Sequence, residues 1–183
     1  MMQIPDIKTS IGLLKRKETP IHIMRHCVRV ALVSRYLGSK LRERGCDLCL
    51  ELIMAGALLH DVSKYESIRN GGDHAEMGAR FLKELGYPEV ARIVKNHVYL
   101  DYDPGAGGGI SEEIIVNYAD KRVKHTDVVS LEDRFRDLQA RYGLDAMRRQ
   151  RIQALYQQSK EMERAIFSRL EIHPDDLTKI FRR

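Results

Sequence analysis

The chain has 183 residues, which is enough for one domain with a substantial buried core. Hydrophobic residues make up 43% of it and charged residues 31%, a balance that excludes a disordered or fibrous chain. The formal net charge of +5 favours anionic partners such as nucleotides, but a well-solvated surface would give the same excess.

Two apolar segments predict the first helices. From Ile21 to Arg44 the apolar residues recur at steps of three and four, which predicts a helix with one buried face that ends at Gly45. From Leu48 to Leu59 the chain is apolar nearly all round, which is typical of a helix at the centre of a bundle. The longest apolar run in the sequence, which begins at Leu50, is too short to span a bilayer. Because the N-terminus also lacks the apolar run of a signal peptide, we expect a cytoplasmic protein without membrane contact.

Turn and cap residues divide the middle of the chain into shorter helices. Asp73 is predicted to cap a helix from His74 to Leu85, which ends at Gly86, and Pro88 is predicted to begin a helix that carries His97. The glycine-rich segment 101–109 is predicted to be a mobile surface loop. Ser111 is predicted to begin a helix that runs through Val123.

After Asp127 the sequence predicts two longer amphipathic helices, about Leu131–Tyr142 and Leu144–Leu170. The second carries a basic run, Arg148, Arg149 and Arg151, which is usually a solvated face. Nucleic-acid binding through this run is the alternative and would depend steeply on salt, but we do not expect a nucleic-acid partner. Since no convincing strand is present, the predicted fold is an all-α bundle in one domain, 1–183, with a core over 21–125 and a helical extension over 126–183.

Six ionisable side chains lie at predicted helix ends or on apolar faces. Each alone is more often structural, but a buried carboxylate without a partner is costly, and imidazole and carboxylate together are ligands for divalent cations. Cys46 and Cys49 have C-x-x-C spacing without the second pair of a zinc ribbon, so we expect no metal there. The six residues that predict a metal site are His26, His60, Asp61, His74, His97 and Asp120.

The order of four of these residues resembles the signature of the HD-domain metal-dependent phosphohydrolase superfamily. The similar segments are H-C-V-R-V-A from His26, A-L-L-H-D-V-S-K around His60 and Asp61, and Y-A-D-K around Asp120. They fall within about residues 21–125. The resemblance implies a helical bundle in which these four side chains hold one divalent ion.

Two further histidines resemble those of the two-metal, HDIG-like branch. By that similarity Asp61 would bridge two ions, and His74 and His97 would hold the second one. Such a pair clamps a phosphoryl group and activates water for attack. The implied cofactor is therefore one or two divalent ions, with Mn, Fe, Ni, Co, Zn and Mg all left open.

The differences from the family pattern narrow the substrate class. Ser63 replaces the usual glycine after the His-Asp pair, whereas Lys64 is retained and could neutralise a phosphate oxygen. The Gly86-Tyr87-Pro88 triplet precedes a single His97, unlike the cyclic-dinucleotide branch, and Lys64-Tyr65 stands where the guanosine tetraphosphate branch has an acidic pair. The candidate phosphate-binding residues are Lys64, Arg29, Lys121 and Arg122.

Together these features predict a metal-dependent phosphohydrolase that cleaves a phosphate ester or anhydride of a small, nucleotide-like substrate, with Asp61 and Lys64 as its catalytic residues. A dinucleoside polyphosphate hydrolase and a cyclic-phosphate phosphodiesterase are alternatives within this class. A non-catalytic HD-fold binding or regulatory module is the alternative outside it. The oligomeric state is left open, with a dimer allowed.

Overall fold

The computed structural model describes residues 3–102 and 109–182, which form an all-α bundle with one small hairpin. The fold class predicted from the sequence is therefore confirmed. The elements are α1 (Ile7–Arg16), α2 (Ile21–Glu43), α3 (Leu50–Leu59), α4 (Lys64–Asn70), α5 (His74–Glu84), α6 (Pro88–Asn96), α7 (Glu112–Arg122), β1 (Val123–Lys124), β2 (Asp127–Val128), α8 (Leu131–Tyr142), α9 (Ala146–Phe167) and α10 (Asp176–Ile180).

Helix α3 lies at the centre of the bundle, as its all-round apolar surface predicts. It packs against α1, α2, α6 and α7. Two glycines let these helices approach closely: a Cβ on Gly38 would lie 2.7 Å from Ile53, and one on Gly56 would lie 2.7 Å from Ile93. The C-terminal end of α3 is thereby held among the helices that carry the remaining candidate ligands.

The predicted caps occur where the sequence places them. Gly45 and Gly86 have φ of +83°, a conformation that favours glycine, and Asp73 accepts hydrogen bonds from the first amides of α5. Helix α9 begins at Ala146, after its cap Asp145, which accepts from the amide of Arg148, and it ends at Phe167, so it is shorter than predicted at both ends. Most of the glycine-rich segment, 103–108, lies outside the described residues, so the prediction of a mobile loop is untested.

Three short helices and the hairpin were not predicted from the sequence. The strands pair in antiparallel fashion, with Val123 opposite Val128, and His125 takes a φ of +56° in the turn between them. The C-terminal extension contributes Met162, Ile166 and Leu177 to the one hydrophobic core. None of the described helices is long and apolar enough to cross a membrane.

Candidate metal centre

Six side chains from five helical segments form two adjacent groups that could each hold a metal ion. The first group is His26, His60 and Asp120, and the second is Asp61, His74 and His97. Within each group, the ligand atoms all lie within 4.8 Å of one another. These two groups match the division of the six residues that the sequence resemblance implies for two ions.

The carboxylate of Asp61 lies between the two groups and presents a different oxygen to each. Its Oδ1 is 3.3 Å from His74 Nε2 and 3.6 Å from His97 Nε2. Its Oδ2 is 3.5 Å from His60 Nε2. This arrangement suits a carboxylate that bridges two cations.

Backbone carbonyls fix the orientation of three of the imidazoles. His60 Nδ1 donates to the carbonyl of Ala57 at 2.7 Å, and His97 Nδ1 donates to that of Val94 at 2.6 Å. A carbonyl can only accept, so the neutral rings carry their proton on Nδ1 and present the Nε2 lone pair. His26 is held in the same way, with Nδ1 3.0 Å from the carbonyl of His125. Such contacts are typical of metal-binding histidines.

The electrostatics of the centre favour bound cations. Burial alone would raise the pKa of Asp61, but the neighbouring His60 and the facing imidazoles of the second group hold that pKa well below its usual value. Burial likewise opposes ionisation of Asp120, but the charge of Lys121, together with the contacts of His26 and His60, holds the pKa of Asp120 well below its usual value. Burial lowers the pKa of His97 to about 4, so this ring is neutral at neutral pH.

Two buried ligand atoms lack a hydrogen-bond partner among the described residues. These are His60 Nε2 and Asp61 Oδ1, in side chains that are 0% and 2% exposed. A buried polar atom without a partner costs free energy, and a divalent cation in each group would satisfy these two atoms. The donor set therefore fits the metal ions that the sequence predicts. Four imidazoles favour a transition metal such as Mn, Fe, Co, Ni or Zn over Mg.

Lys64 lies at the solvent-facing edge of the centre. Its Nζ donates to Asp61 Oδ2 at 2.8 Å, and its side chain is 40% exposed. His74, at 24%, is the next most exposed side chain there. The side of the centre formed by these two residues is therefore its most solvent-exposed side.

Three of the four predicted phosphate-binding residues lie in surroundings that do not suit that role. Arg122 is fully buried and donates to the carbonyls of Val129 and Pro174, to the Tyr118 hydroxyl and to Glu163, which leaves no exposed donor for a phosphate. Its predicted role is therefore corrected to a structural one.

Lys121 is also buried, and it donates to Asp120 and to a backbone carbonyl rather than facing solvent. Arg29 lines a surface groove with Ile21, Met24 and Leu32, and none of the six metal-capable residues lines that groove. Of the four predicted phosphate-binding residues, Lys64 is the one whose exposed side chain lies at the edge of the two metal-capable groups.

The turn between β1 and β2 supplies a supporting contact to His26 that was not predicted from the sequence. The left-handed backbone of His125 turns its carbonyl toward His26. A two-residue hairpin turn with positive φ at its first central residue usually has glycine there, so His125 in the His-Thr turn is an unusual choice. That departure is the one local signal that could have indicated this contact.

The motif residue Ser63 is compatible with the observed backbone. Its φ of −105° is accessible to any residue, so the glycine usual at this position is not required. Cys46 and Cys49 belong to neither of the metal-capable groups found among the described residues.

Comparisons with known proteins identify the family of the chain. The family model "HD domain" matches residues 23–124, more than half of the chain, and this range includes all six metal-capable residues. An uncharacterized protein from Methanocaldococcus jannaschii is 28% identical, over 67% of this chain and 78% of that protein. The crystal structure of a predicted HD superfamily hydrolase from an uncultured Thermotogales bacterium has a TM-score of 0.49 and 20% identity, over 92% of this chain and 95% of that one.

Proposed function

The chain belongs to the HD domain family of metal-dependent hydrolases, and on this premise we propose that it cleaves a phosphate ester or anhydride of a nucleotide-like small molecule. The observation that carries the proposal is the position of Asp61, which offers one carboxylate oxygen to each of two histidine-rich groups. A bridged pair of cation sites is the arrangement that stabilises both the attacking and the leaving oxygen of a phosphoryl group.

The six ligands would hold the ions, and the remaining side chains would bind and orient the substrate. Divalent ions at such a centre polarise a phosphoryl oxygen and acidify water. Lys64 would donate to a phosphoryl oxygen while its partner Asp61 keeps it at the edge of the centre. The carbonyls that hold His60 and His97 would keep their Nε2 atoms directed at the cations throughout turnover.

Substitution of Asp61 by Ala tests the proposal. We expect Asp61→Ala to lose bound metal and turnover together, because no other carboxylate faces both groups among the described residues. Elemental analysis of the dialysed protein and hydrolysis of p-nitrophenyl phosphate, bis(p-nitrophenyl) phosphate and nucleotides are the measurements. Asp47→Ala is the matched control, since Asp47 is exposed and belongs to neither group.

Three results would contradict the proposal. Full activity of Asp61→Ala would remove the bridging role of the carboxylate. A wild-type protein without stoichiometric metal would remove the metal centre. Metal without hydrolysis of any of these substrates would support the binding-module alternative instead.

A further inference from the structure

Lys121 is a buried cation that joins the two halves of the centre. Its side chain is 7% exposed, and its Nζ donates to Asp120 Oδ2 at 2.9 Å and to the carbonyl of His97 at 3.0 Å. Both acceptors belong to residues that also supply a metal-capable atom. The ammonium group therefore lies beside both half-sites without facing the solvent that carries the substrate.

Each of the two carboxylates of the centre forms an ion pair with a different lysine. Asp61 is paired with Lys64, and Asp120 is paired with Lys121. A histidine that ligates a metal ion is neutral, so with ions bound the two carboxylates and the two lysines cancel and the positive charge of the ions is left uncompensated by these side chains. The two lysines differ in access to water, because the side chain of Lys64 is 40% exposed and that of Lys121 is 7% exposed. Solvent therefore screens the charge of Lys121 far less.

We propose that Lys121 is a specificity-determining residue that makes the centre prefer doubly charged phosphomonoesters to singly charged phosphodiesters. It acts through its charge and not through contact with the substrate. The Coulomb energy is proportional to the product of the charges, so a nearby fixed cation stabilises a dianion about twice as much as a monoanion at the same place. The inference rests on the proposed function, since it specifies the substrate class of the same centre.

The test compares wild type with Lys121→Met, a side chain of similar length without the charge. The substrates are p-nitrophenyl phosphate and bis(p-nitrophenyl) phosphate, assayed with Mn²⁺ above pH 7, where the monoester is mainly a dianion. We expect the ratio of kcat/KM for monoester over diester to fall at least tenfold. Inhibition by inorganic phosphate should weaken at least tenfold.

Metal binding provides a readout that does not depend on activity. Because Lys121 repels a nearby dication, its removal should tighten Mn²⁺ binding at least tenfold in a calorimetric titration. Lys40→Met is the matched control, since it removes a lysine from an exposed pair with Glu43, outside the six metal-capable residues. It should leave the substrate ratio and the Mn²⁺ affinity unchanged.

Two further variants separate charge from folding. Lys121→Gln retains a hydrogen-bond donor without the charge and should reproduce the change in ratio, which keeps the test decisive if Lys121→Met does not fold. Lys121→Arg retains the charge and should keep the wild-type ratio.

A substrate ratio that is unchanged in the folded, uncharged variants, or weaker Mn²⁺ binding by them, would overturn the inference while leaving the phosphohydrolase proposal intact. A wild-type protein that binds no metal, or that hydrolyses neither ester, would instead contradict the proposed function.

Discussion

The imidazole rings of His60 and His97 each hydrogen-bond a carbonyl at a helix end and present a metal-capable nitrogen. Both functions depend on the position of the residue at the end of a helix. The last carbonyls of a helix lack partners within it, and each ring donates Nδ1–H to the carbonyl three residues earlier. The same bond directs the Nε2 lone pair away from the helix and toward Asp61. A histidine just after an apolar helix can therefore cap that helix and bind a cation at once.

Arg122 is expected to matter for stability and not for substrate binding. Substitution by Met would leave Glu163 without its buried cation and two carbonyls without their donor. We expect Arg122→Met to lower the free energy of unfolding by about 3 kcal/mol, which urea denaturation would measure. The KM of the folded variant for p-nitrophenyl phosphate should stay at the wild-type value.

Lys64 provides the opposite case to Arg122. Lys64→Met should raise the KM for p-nitrophenyl phosphate and lower the free energy of unfolding less than Arg122→Met does, because the Lys64 side chain is 40% exposed whereas Arg122 is fully buried. An increased KM with unchanged stability in Arg122→Met would restore a phosphate-binding role for the arginine.

The six metal-capable residues could be predicted from the sequence, but the surroundings of the neighbouring basic side chains, Lys121 and Arg122, could not. Asp120, Lys121 and Arg122 are consecutive, and successive side chains on a helix diverge by about 100°. Arg122 therefore projects away from Asp120 and meets Glu163 on α9, a partner 41 residues later in the chain. Because Asp120 and Arg122 are close in sequence, both were predicted to belong to one site, whereas the geometry of the helix points their side chains in different directions.

The close packing of α3 against α6 sets the spacing of the two half-sites, since one helix leads to His60 and Asp61 and the other to His97. Gly56 makes this packing possible. A Cβ there would lie 2.7 Å from Ile93 Cγ2 and 3.1 Å from Ile93 Cβ, so the neighbouring side chain cannot simply rotate away.

Alanine substitutions at two helical glycines would measure the importance of this contact. Gly56→Ala should lower the free energy of unfolding by about 2 kcal/mol through overpacking. Gly12→Ala in α1 is the control, because a Cβ at that position would have no neighbour within 4 Å, and it should raise stability by about 0.8 kcal/mol through helix propensity. Urea denaturation followed by circular dichroism would report both. Equal effects of the two substitutions would contradict a specific contact between α3 and α6.

Long elements were predictable and short ones were not, for a physical reason. Helices α2 and α8 show several turns of apolar periodicity, and their observed bounds agree with the predicted ones to within a residue. Helix α4 has seven residues, none of them buried, so no periodic pattern marks it. The hairpin depends on tertiary contacts, because its two-residue strands are too short to show alternation.

The metal-capable residues lie between His26 and Asp120 in the sequence, yet the fold that holds them includes the C-terminal extension. Met162 and Ile166 of α9, and Leu177 of α10, are fully buried in the same core as α3. Arg122, which lies on the same helix as Asp120, donates hydrogen bonds to Glu163 and to the carbonyl of Pro174 in this extension. The family match ends at residue 124, but the structural unit continues beyond it.

Two truncated chains would test whether the extension is part of the folding unit. A chain that ends after Gly143 lacks α9 and α10, and with them Glu163 and three fully buried side chains, so we expect it to lose cooperative thermal unfolding. A chain that ends after Ser168 keeps Glu163 but lacks Leu177 and Pro174, and it should unfold cooperatively with about 3 kcal/mol less stability. Calorimetry and near-UV circular dichroism would distinguish these outcomes. A shorter chain that unfolds as cooperatively as the full one, and binds Mn²⁺ with the same stoichiometry, would show that the segment before α9 folds independently.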